Sequence, residues 1–366
     1  MVGSTLGHVF RLTSFGESHG EGIGGIIDGC PSGITLNEDL IQSYLDKRRS
    51  GGRNNIDTFI STSRKEEDKV SLLSGVFDGK TTGTPIAFLV HNKAHNSGDY
   101  EILSSVYRPG HADISYEAKY GLRDYRGGGR ASGRETISRV VGGAIAESIL
   151  TKLNMHVFAA TVELGGINIK QFIDIDNLDI SDAESRPFFA AHHAIIDSWE
   201  KRAMTVCKAK DSLGGIVRLE VHNVISGLGE PVFQKLDAML AAALMSVGAV
   251  KGVEIGAGFA SARMLGSENN DLITSKTPLH FASNNAGGIL GGISSGQNII
   301  VHVAVKPIPS IACTQSTITR DGDTVDICID GRHDICAIPR IVPVLKAMVA
   351  LTLADAVLMQ KRLEVL

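Results

Sequence analysis

The chain has 366 residues, of which 43% are hydrophobic and 5% aromatic, and its formal net charge at pH 7 is −4. This composition excludes a disordered chain, and the charge argues against a general nucleic-acid-binding surface. No stretch has the apolar length of a membrane span, the N-terminus lacks an apolar signal core, and the five cysteines, without CxxC spacing, fit a reducing compartment. The sequence therefore predicts a cytoplasmic globular protein with no membrane and no nucleic-acid partner.

The N-terminal segment predicts two strands with a glycine-rich turn between them. Residues 9–13 alternate like a strand, and residues 26–28 end a second one. Three glycines match the GxGxxG dinucleotide fingerprint, namely Gly20, Gly22 and Gly25. That fingerprint needs a helix where this chain has a strand, so we reject it.

The turn itself contains Glu17, Ser18 and His19. A lone histidine is usually structural, but glycines and a serine flank this one, which makes His19 a candidate for proton transfer. Capping-box spacing from Thr35 to Glu38 then predicts a helix whose end is rich in basic residues. The helix dipole explains Arg48 and Arg49 there, but it does not explain a further arginine, at position 53.

The most informative stretch runs from residue 108 to residue 150. It contains His111, five arginines within residues 123–139 and three consecutive glycines at 127–129. Ser132 and Glu135 have capping-box spacing, and an apolar helical stripe follows. Glycine-rich backbone, a helix N-terminus and arginines together predict an anion-binding loop. The alternative is a solvated basic loop before an ordinary helix.

The second half of the chain repeats this mixture of strands and apolar helices. Strands are predicted at residues 154–160, 216–221, 250–256 and 299–305, and helices at residues 237–245 and 342–359. Residues 171–210 have a weak pattern and predict a peripheral, variable insertion, with a short helix near residues 191–202. The glycine-rich residues 284–296 are not a P-loop, because no Gly-Lys-Ser/Thr follows them.

Three residues near the C-terminus have side chains that can bind a metal, namely Cys328, His333 and Cys336. No second ligand pair accompanies these residues, so we favour ordinary cysteines and predict no bound metal.

Four buried helices are expected, near Leu40, Val140, Leu240 and Ala350, with strand hairpins between them. Hairpins favour antiparallel sheets that cover the helices, so the predicted class is α+β. We expect a single domain over residues 1–366, with two halves that are similar in outline.

Three motifs together make the chain resemble the chorismate synthases over nearly its whole length. They are GESHGEGIGGIIDGCP from Gly16, GRASGRETISRVVGGAI from Gly129, and GRHD from Gly331. The resemblance implies a β-α-β sandwich, with helices between two mainly antiparallel sheets, and a homotetramer. It also implies a lyase that converts 5-enolpyruvylshikimate 3-phosphate to chorismate and phosphate by 1,4-anti elimination, using reduced FMN.

The resemblance also implies roles for individual residues. His19 would protonate the departing phosphate, His111 would sit at the flavin, and Asp334 would assist hydrogen uptake. Ser18 and Ser132 would complete the hydrogen-bond network. The implied flavin contacts are Arg130, Ala131, Ser132, Gly248, Ala249, Gly291, Lys306, Pro307, Ile308, Pro309, Ser310 and Arg332. The implied substrate or NADP contacts are Arg48, Arg49, Arg53 and Arg134.

The chain departs from the family pattern at several positions. They are Asn96, Gly248, Ser316, Ile335 and Lys346. None of these is a proposed catalytic residue, but they bear on the geometry around Asp334 and on subunit contacts.

Two other functions compete with the lyase. One is a flavin reductase or another NADPH-flavin enzyme, although such relatives usually carry extra segments that this chain lacks. We expect an external flavin reductase, so that NADPH would act indirectly. The other is a non-catalytic phosphate- or nucleotide-binding protein, which would not need His19, His111 or Asp334.

Overall fold

Two five-stranded antiparallel sheets enclose a layer of helices. The computed structural model describes residues 3–49, 67–92, 102–174, 178–329 and 334–363. Within these ranges the α+β class and the sandwich of helices between two sheets are confirmed.

The first sheet is built from the N-terminal part of the chain. Its strands are β1 (Thr5–Leu6), β2 (Arg11–Gly16), β3 (Gly22–Asp28), β4 (Val70–Leu72) and β7 (Ile86–His91), in the order β1-β2-β3-β7-β4. A two-stranded hairpin, β5 (Val76–Phe77) and β6 (Lys80–Thr81), lies beside it. Gly22 and Gly25 are inside β3, paired with His91 and Phe88 of β7, which agrees with the rejection of a dinucleotide fingerprint.

The second sheet comes from the other half of the chain. Its strands are β8 (His156–Leu164), β9 (Ile167–Asn168), β10 (Gly215–His222), β11 (Val250–Ile255) and β16 (Ile299–Val305), in the order β11-β16-β10-β8-β9. The described part of this half of the chain also contains three separate two-stranded hairpins. They are β12 (Ile273–Lys276) with β13 (Leu279–Phe281), β14 (Ile289–Leu290) with β15 (Ile293–Ser294), and β17 (Gln315–Ile318) with β18 (Thr324–Ile327).

The helices of the middle layer are the four that the sequence predicts. The described helices are α1 (Glu38–Arg48), α2 (Asp113–Tyr120), α3 (Thr136–Thr151), α4 (Ile196–Lys208), α5 (Leu236–Met245), α6 (Gly266–Asn269) and α7 (Ile338–Lys361). Helix α7 packs against α1, α3 and α5 and against strands β8 and β10 of the second sheet, while α3 also reaches β2 and β3 of the first. The apolar stripes of these helices therefore fill the space between the sheets.

The central contact of this layer is the close approach of α3 and α7. A Cβ atom at Gly143 would lie 2.3 Å from Ala347 Cβ, so only glycine allows this spacing. Both helices are largely buried, and Asp355 of α7 is 1% exposed. Its carboxylate accepts backbone N–H bonds from Val9 at 2.7 Å and Phe10 at 3.0 Å, which fastens the N-terminal segment to α7.

Helix α7 corrects one expectation. Contrary to the sequence prediction, its 24 residues are long and apolar enough to cross a membrane by length and composition. However, 89% of its apolar window is buried inside the molecule, as in the core helix of a globular protein.

Several helix boundaries differ from those predicted. The residue that caps α1 is Asn37, not Thr35. Asn37 directly precedes the first helical residue, Glu38, so its side chain can accept a hydrogen bond from Leu40 N–H. Ser132 accepts from Arg134 N–H, but it caps a short 3-10 turn ahead of α3, and Glu135 pairs with Arg139 instead of closing a box.

Two further helices differ from the sequence prediction. Helix α2 was not predicted. Helix α4 begins at Ile196, later than the helix expected near residues 191–202, and its Trp199 is fully buried in the main core together with Phe188.

Candidate active site

The glycine triplet (Gly127, Gly128 and Gly129) brings the two predicted catalytic histidines together. All three glycines have positive φ, between 53° and 82°, a conformation that favours glycine. A Cβ atom at Gly127 would lie 2.2 Å from His19 Cε1, and one at Gly128 would lie 3.1 Å from His111 Cε1. Backbone without side chains therefore forms the surface on which both imidazoles rest.

The first histidine belongs to the tight turn between β2 and β3. Gly20 N–H donates to Glu17 O at 3.2 Å and closes the turn. Ser18 Oγ lies 3.2 Å from His19 Nδ1 and donates to Gly127 O at 3.3 Å. Ser18 is buried, so the predicted serine–histidine pair forms and is attached to the glycine triplet.

The second histidine lies beside a buried acid. His111 Nδ1 is 3.0 Å from Asp113 Oδ1, and Arg108 donates to the same carboxylate from Nε at 2.8 Å and Nη2 at 2.7 Å. Burial alone would raise the pKa of Asp113, but the hydrogen bonds and charges of Arg108 and His111 outweigh it and hold that pKa well below its usual range.

The ionised Asp113 fixes the tautomer of His111. A carboxylate this close accepts a hydrogen bond only from a protonated Nδ1. Arg108 Nη2 is also 3.0 Å from Nδ1, but it donates to Asp113 Oδ1. Nε2 is then the nitrogen of the neutral ring that can accept a proton.

A cationic group lies at the start of α3. Arg48 is 2% exposed and donates to Thr136 Oγ1 at 2.8 Å, Gly133 O at 3.0 Å and Asp68 Oδ2 at 3.2 Å. Burial, then the charge of Arg340, lowers the pKa of Arg48 to about 9, against the opposing effect of Asp68. Arg48 therefore holds the backbone that precedes α3, and its exposed surface is too small for broad ligand contact.

Arg134 shares the acid with Arg48. Its Nη2 donates to Asp68 Oδ1 at 3.1 Å, so one carboxylate bridges the two guanidinium groups. Burial raises the pKa of Asp68, while Arg48 and other nearby arginines oppose this change.

Most predicted flavin contacts form a second group next to His111. Lys306 Nζ donates to Gly110 O at 2.7 Å, and Lys306 N–H donates to Ala249 O at 2.9 Å. A Cβ atom at Gly110 would lie 3.2 Å from Pro309 Cβ. Burial, then the charge of Lys251, lowers the pKa of Lys306.

The backbone of this group is shaped for a close approach. Ala249 has a φ of 73°, which is costly for a residue with a Cβ atom, and no atom lies within 4 Å of the place where a Cβ atom at Gly248 would stand. Ile308 O accepts from Ser212 Oγ at 2.6 Å, and Pro307 packs on Gly214. Ser310 lies in the same loop, between the strands that end at Val305 and begin at Gln315.

Arg130 and Ala131 lie in a 3-10 turn beside Ser132. Arg130 donates to Ser14 Oγ at 2.7 Å and to Gly16 O at 3.1 Å, so it fastens the glycine triplet to β2.

The remaining predicted site residues have other contacts. Asp334 pairs with Arg340 at 2.7 Å, and Arg49 lies 3.5 Å from Asp46. Gly291 occupies the turn between β14 and β15. Arg53 and Arg332 lie outside the described residues.

A cavity near Pro307 and the possible metal ligands near the C-terminus are the alternatives to the site that contains the histidines. A cavity of about 390 Å³ borders Pro307, but it is lined by Glu163 and Arg202 among others and by neither histidine. No group of three or more His, Cys, Asp or Glu side chains in the described ranges could hold a metal ion. Cys336 is buried and Cys328 exposed, while His333 lies outside those ranges.

The departures from the family pattern fall in different environments. Lys346 pairs with Glu184 at 2.8 Å and Glu147 at 3.4 Å, and Ile335 O accepts from Leu213 N–H at 2.8 Å. Ser316 lies opposite Asp326 in the β17–β18 hairpin, and Asn96 is outside the described residues.

Sequence reasoning missed Arg108, Asp113, Asp68 and Asn92. Asp113 follows His111 by two residues, and this spacing was the available signal. Asp68 and Asn92 are distant in sequence from the arginine that they contact, so no local pattern could identify them.

Comparison with known proteins identifies the family of the chain. A family model for chorismate synthase matches residues 10–358. The chorismate synthase of Nitratidesulfovibrio vulgaris strain Hildenborough is 59% identical over 363 residues, which covers 99% of this chain and 99% of that protein. The chorismate synthase of Oleidesulfovibrio alaskensis is 58% identical with the same coverage.

A solved structure leads to the same family. A crystal structure of a chorismate synthase matches with a TM-score of 0.77 and 31% sequence identity, covering 97% of this chain and 93% of that chain. The identity, the coverage and the matched fold agree, so the chain belongs to the chorismate synthase family.

Proposed function

We propose that the chain is a carbon–oxygen lyase that converts 5-enolpyruvylshikimate 3-phosphate to chorismate and phosphate by 1,4-anti elimination, with reduced FMN. This is the last common step of aromatic amino-acid biosynthesis. The observation that supports it most is the convergence of His19 and His111 on the glycine triplet. Two proton-handling groups on adjacent glycines suit a reaction that removes both a proton and a phosphate.

The charges near the triplet suit this substrate. It carries a phosphate and two carboxylates, and forked arginine donors recognise such groups well. Arg126 is 48% exposed beside Asp124, Arg130 is fixed on β2, and Arg134 lies at the start of α3. Arg130 contacts Gly16 next to the His19 turn, and Arg134 reaches this turn through Asn92.

The residues of the second group fit FMN. Lys306 offers a cation that is partly withdrawn from water, and the open backbone at Gly248 and Ala249 can approach a flat ring. His111 lies between this group and the triplet, through Gly110. When bound, reduced FMN would supply a transient electron for the elimination.

The chain would handle the protons. His19, with Nδ1 beside Ser18 Oγ, would protonate the departing phosphate. His111, held by Asp113, would present Nε2 to the cofactor. Asp334 would assist removal of the substrate hydrogen, and Ser132 would line the site from the cap ahead of α3. The homotetramer, the cytoplasmic location and the external flavin reductase remain predictions.

The variants His19→Ala and His111→Ala test the proposed roles. Each is expected to fold normally, because neither removes a core side chain, and to lose most chorismate formation, by roughly 100-fold or more. Turnover is measured anaerobically with dithionite-reduced FMN, and folding by circular dichroism. Turnover equal to the unmutated chain in both variants would rule out these roles.

A further inference from the structure

We infer that Asn92 is a positioning residue that holds the His19 turn in its reactive geometry. This inference rests on the proposed function. Asn92 follows strand β7 directly and touches neither histidine by any hydrogen bond described for it. Its effect on the reaction would therefore pass through the backbone of the turn.

The amide of Asn92 closes the turn from outside. Its Nδ2 donates to Glu17 O at 2.9 Å and to Gly20 O at 2.8 Å. These two carbonyls stand on either side of Ser18 and His19. Asn92 N–H also donates to Glu21 O at 3.0 Å, so both the side chain and the backbone of Asn92 are hydrogen-bonded to this turn.

The oxygen of the same amide is fixed from the other side. Arg134 donates to Asn92 Oδ1 from Nε at 3.2 Å and from Nη2 at 2.9 Å. Arg134 Nη2 also donates to Asp68 at 3.1 Å. A continuous set of hydrogen bonds therefore joins the start of α3 to the His19 turn through one side chain.

An amide side chain can bond both to the carbonyl oxygens of the turn and to the guanidinium group of Arg134. The two carbonyls need donors, and the guanidinium needs an acceptor, so asparagine fits in a single orientation. An aspartate of the same size would keep the bond to Arg134 but would set a carboxylate oxygen against two carbonyl oxygens. Asn92→Asp is thus a nearly isosteric change aimed at the turn.

The test compares Asn92→Asp and Asn92→Ala in two backgrounds. In the unmutated chain, we expect each to lower kcat for chorismate formation by roughly 10- to 100-fold, with KM for the substrate changed less. In the His19→Ala background, the same changes should lower kcat by less than about two-fold, because a turn without its histidine has nothing left to position. An equal loss in both backgrounds would overturn the inference.

A second measurement does not depend on activity. Amide hydrogen exchange at Gly20, whose N–H bonds to Glu17 O, should become faster in both Asn92 variants. Unchanged exchange would overturn the inference even if activity falls. The matched control is Asn270→Asp at an exposed position outside the site, which should keep turnover within about two-fold. If the unmutated chain forms no chorismate, the proposed function fails, whereas the exchange result still decides the role of Asn92 in the turn.

Discussion

At the scale of single residues, partners decide what each histidine can do. His111 has a buried carboxylate 3.0 Å from Nδ1, whereas His19 has a serine hydroxyl 3.2 Å from its Nδ1. The carboxylate can only accept a hydrogen bond from the ring, whereas the hydroxyl can either donate or accept one. The two histidines therefore suit different proton-handling roles although both rest on glycine.

Asp113→Asn should separate charge from shape at His111. The amide keeps the size of the side chain but loses the charge that holds Nδ1 protonated and binds Arg108. We expect kcat to fall by roughly 10- to 1,000-fold, since the ring loses the acceptor that fixes its tautomer. Steady-state rates from pH 5 to pH 9 measure this. Full turnover of Asp113→Asn across this range would contradict the assigned tautomer.

At the scale of single residues, part of the candidate site could be predicted from the sequence. Motifs and family resemblance predicted His19, His111, Ser18 and Ser132 as site residues, and in the structure these residues lie around the glycine triplet. Neither motif nor spacing could pair Arg48 with Asp68, because the two residues are 20 positions apart and their contact depends on the folded structure.

At the scale of elements, the glycine triplet acts as a platform. Its positive φ angles let residues 127–129 pass beneath both histidines before the capped turn leads into α3. The sequence predicted a glycine-rich loop and a helix, and both are present. It could not predict the 3-10 turn between them. A 3-10 turn differs from an α-helix in having its hydrogen bonds one residue closer along the chain, and amino-acid composition does not reveal this difference.

Gly127→Ala tests the platform. The new Cβ atom would lie 2.2 Å from His19 Cε1 in a backbone conformation that alanine rarely adopts, so the imidazole must move. We expect at least a 10-fold loss of turnover with the fold retained. Gly121→Ala is the matched control, because that glycine also has positive φ but no atom within 4 Å of a Cβ atom. Equal turnover in the two variants would show that the contact with His19 is unimportant.

At the scale of the whole molecule, alternating strands and apolar helices were enough to predict the layers. The order of strands in each sheet was not predictable, because it depends on long-range pairing such as that of β10 between β8 and β16. On the outward face of the second sheet, polar residues of three neighbouring strands lie side by side. On it, His302 of β16 lies between Arg218 of β10 and Glu254 of β11.

This arrangement makes stability depend on pH. Burial, followed by the charges of Arg218 and Lys170, lowers the pKa of His302 to about 4, while Glu254 and Glu220 oppose the change. The unfolded chain takes up this proton below about pH 6.5, whereas the folded chain resists it until about pH 4. The free energy of unfolding therefore has its full contribution from the neutral His302 above pH 6.5, and this contribution is lost as pH falls towards 4.

His302→Gln should remove this part of the pH dependence. Between pH 7 and pH 4.5 the free energy of unfolding of the unmutated chain should fall by about 2 kcal/mol more than that of the variant. Urea unfolding at both pH values measures the difference. Parallel curves for the two proteins would contradict the burial of a neutral imidazole.

The central claim is that this chain forms chorismate at the triplet that joins His19 and His111. Its most direct test incubates the unmutated chain with 5-enolpyruvylshikimate 3-phosphate and dithionite-reduced FMN without oxygen, and measures chorismate and phosphate together. The account predicts both products in equal amounts, and none with oxidised FMN alone. No chorismate with reduced FMN and substrate would contradict it.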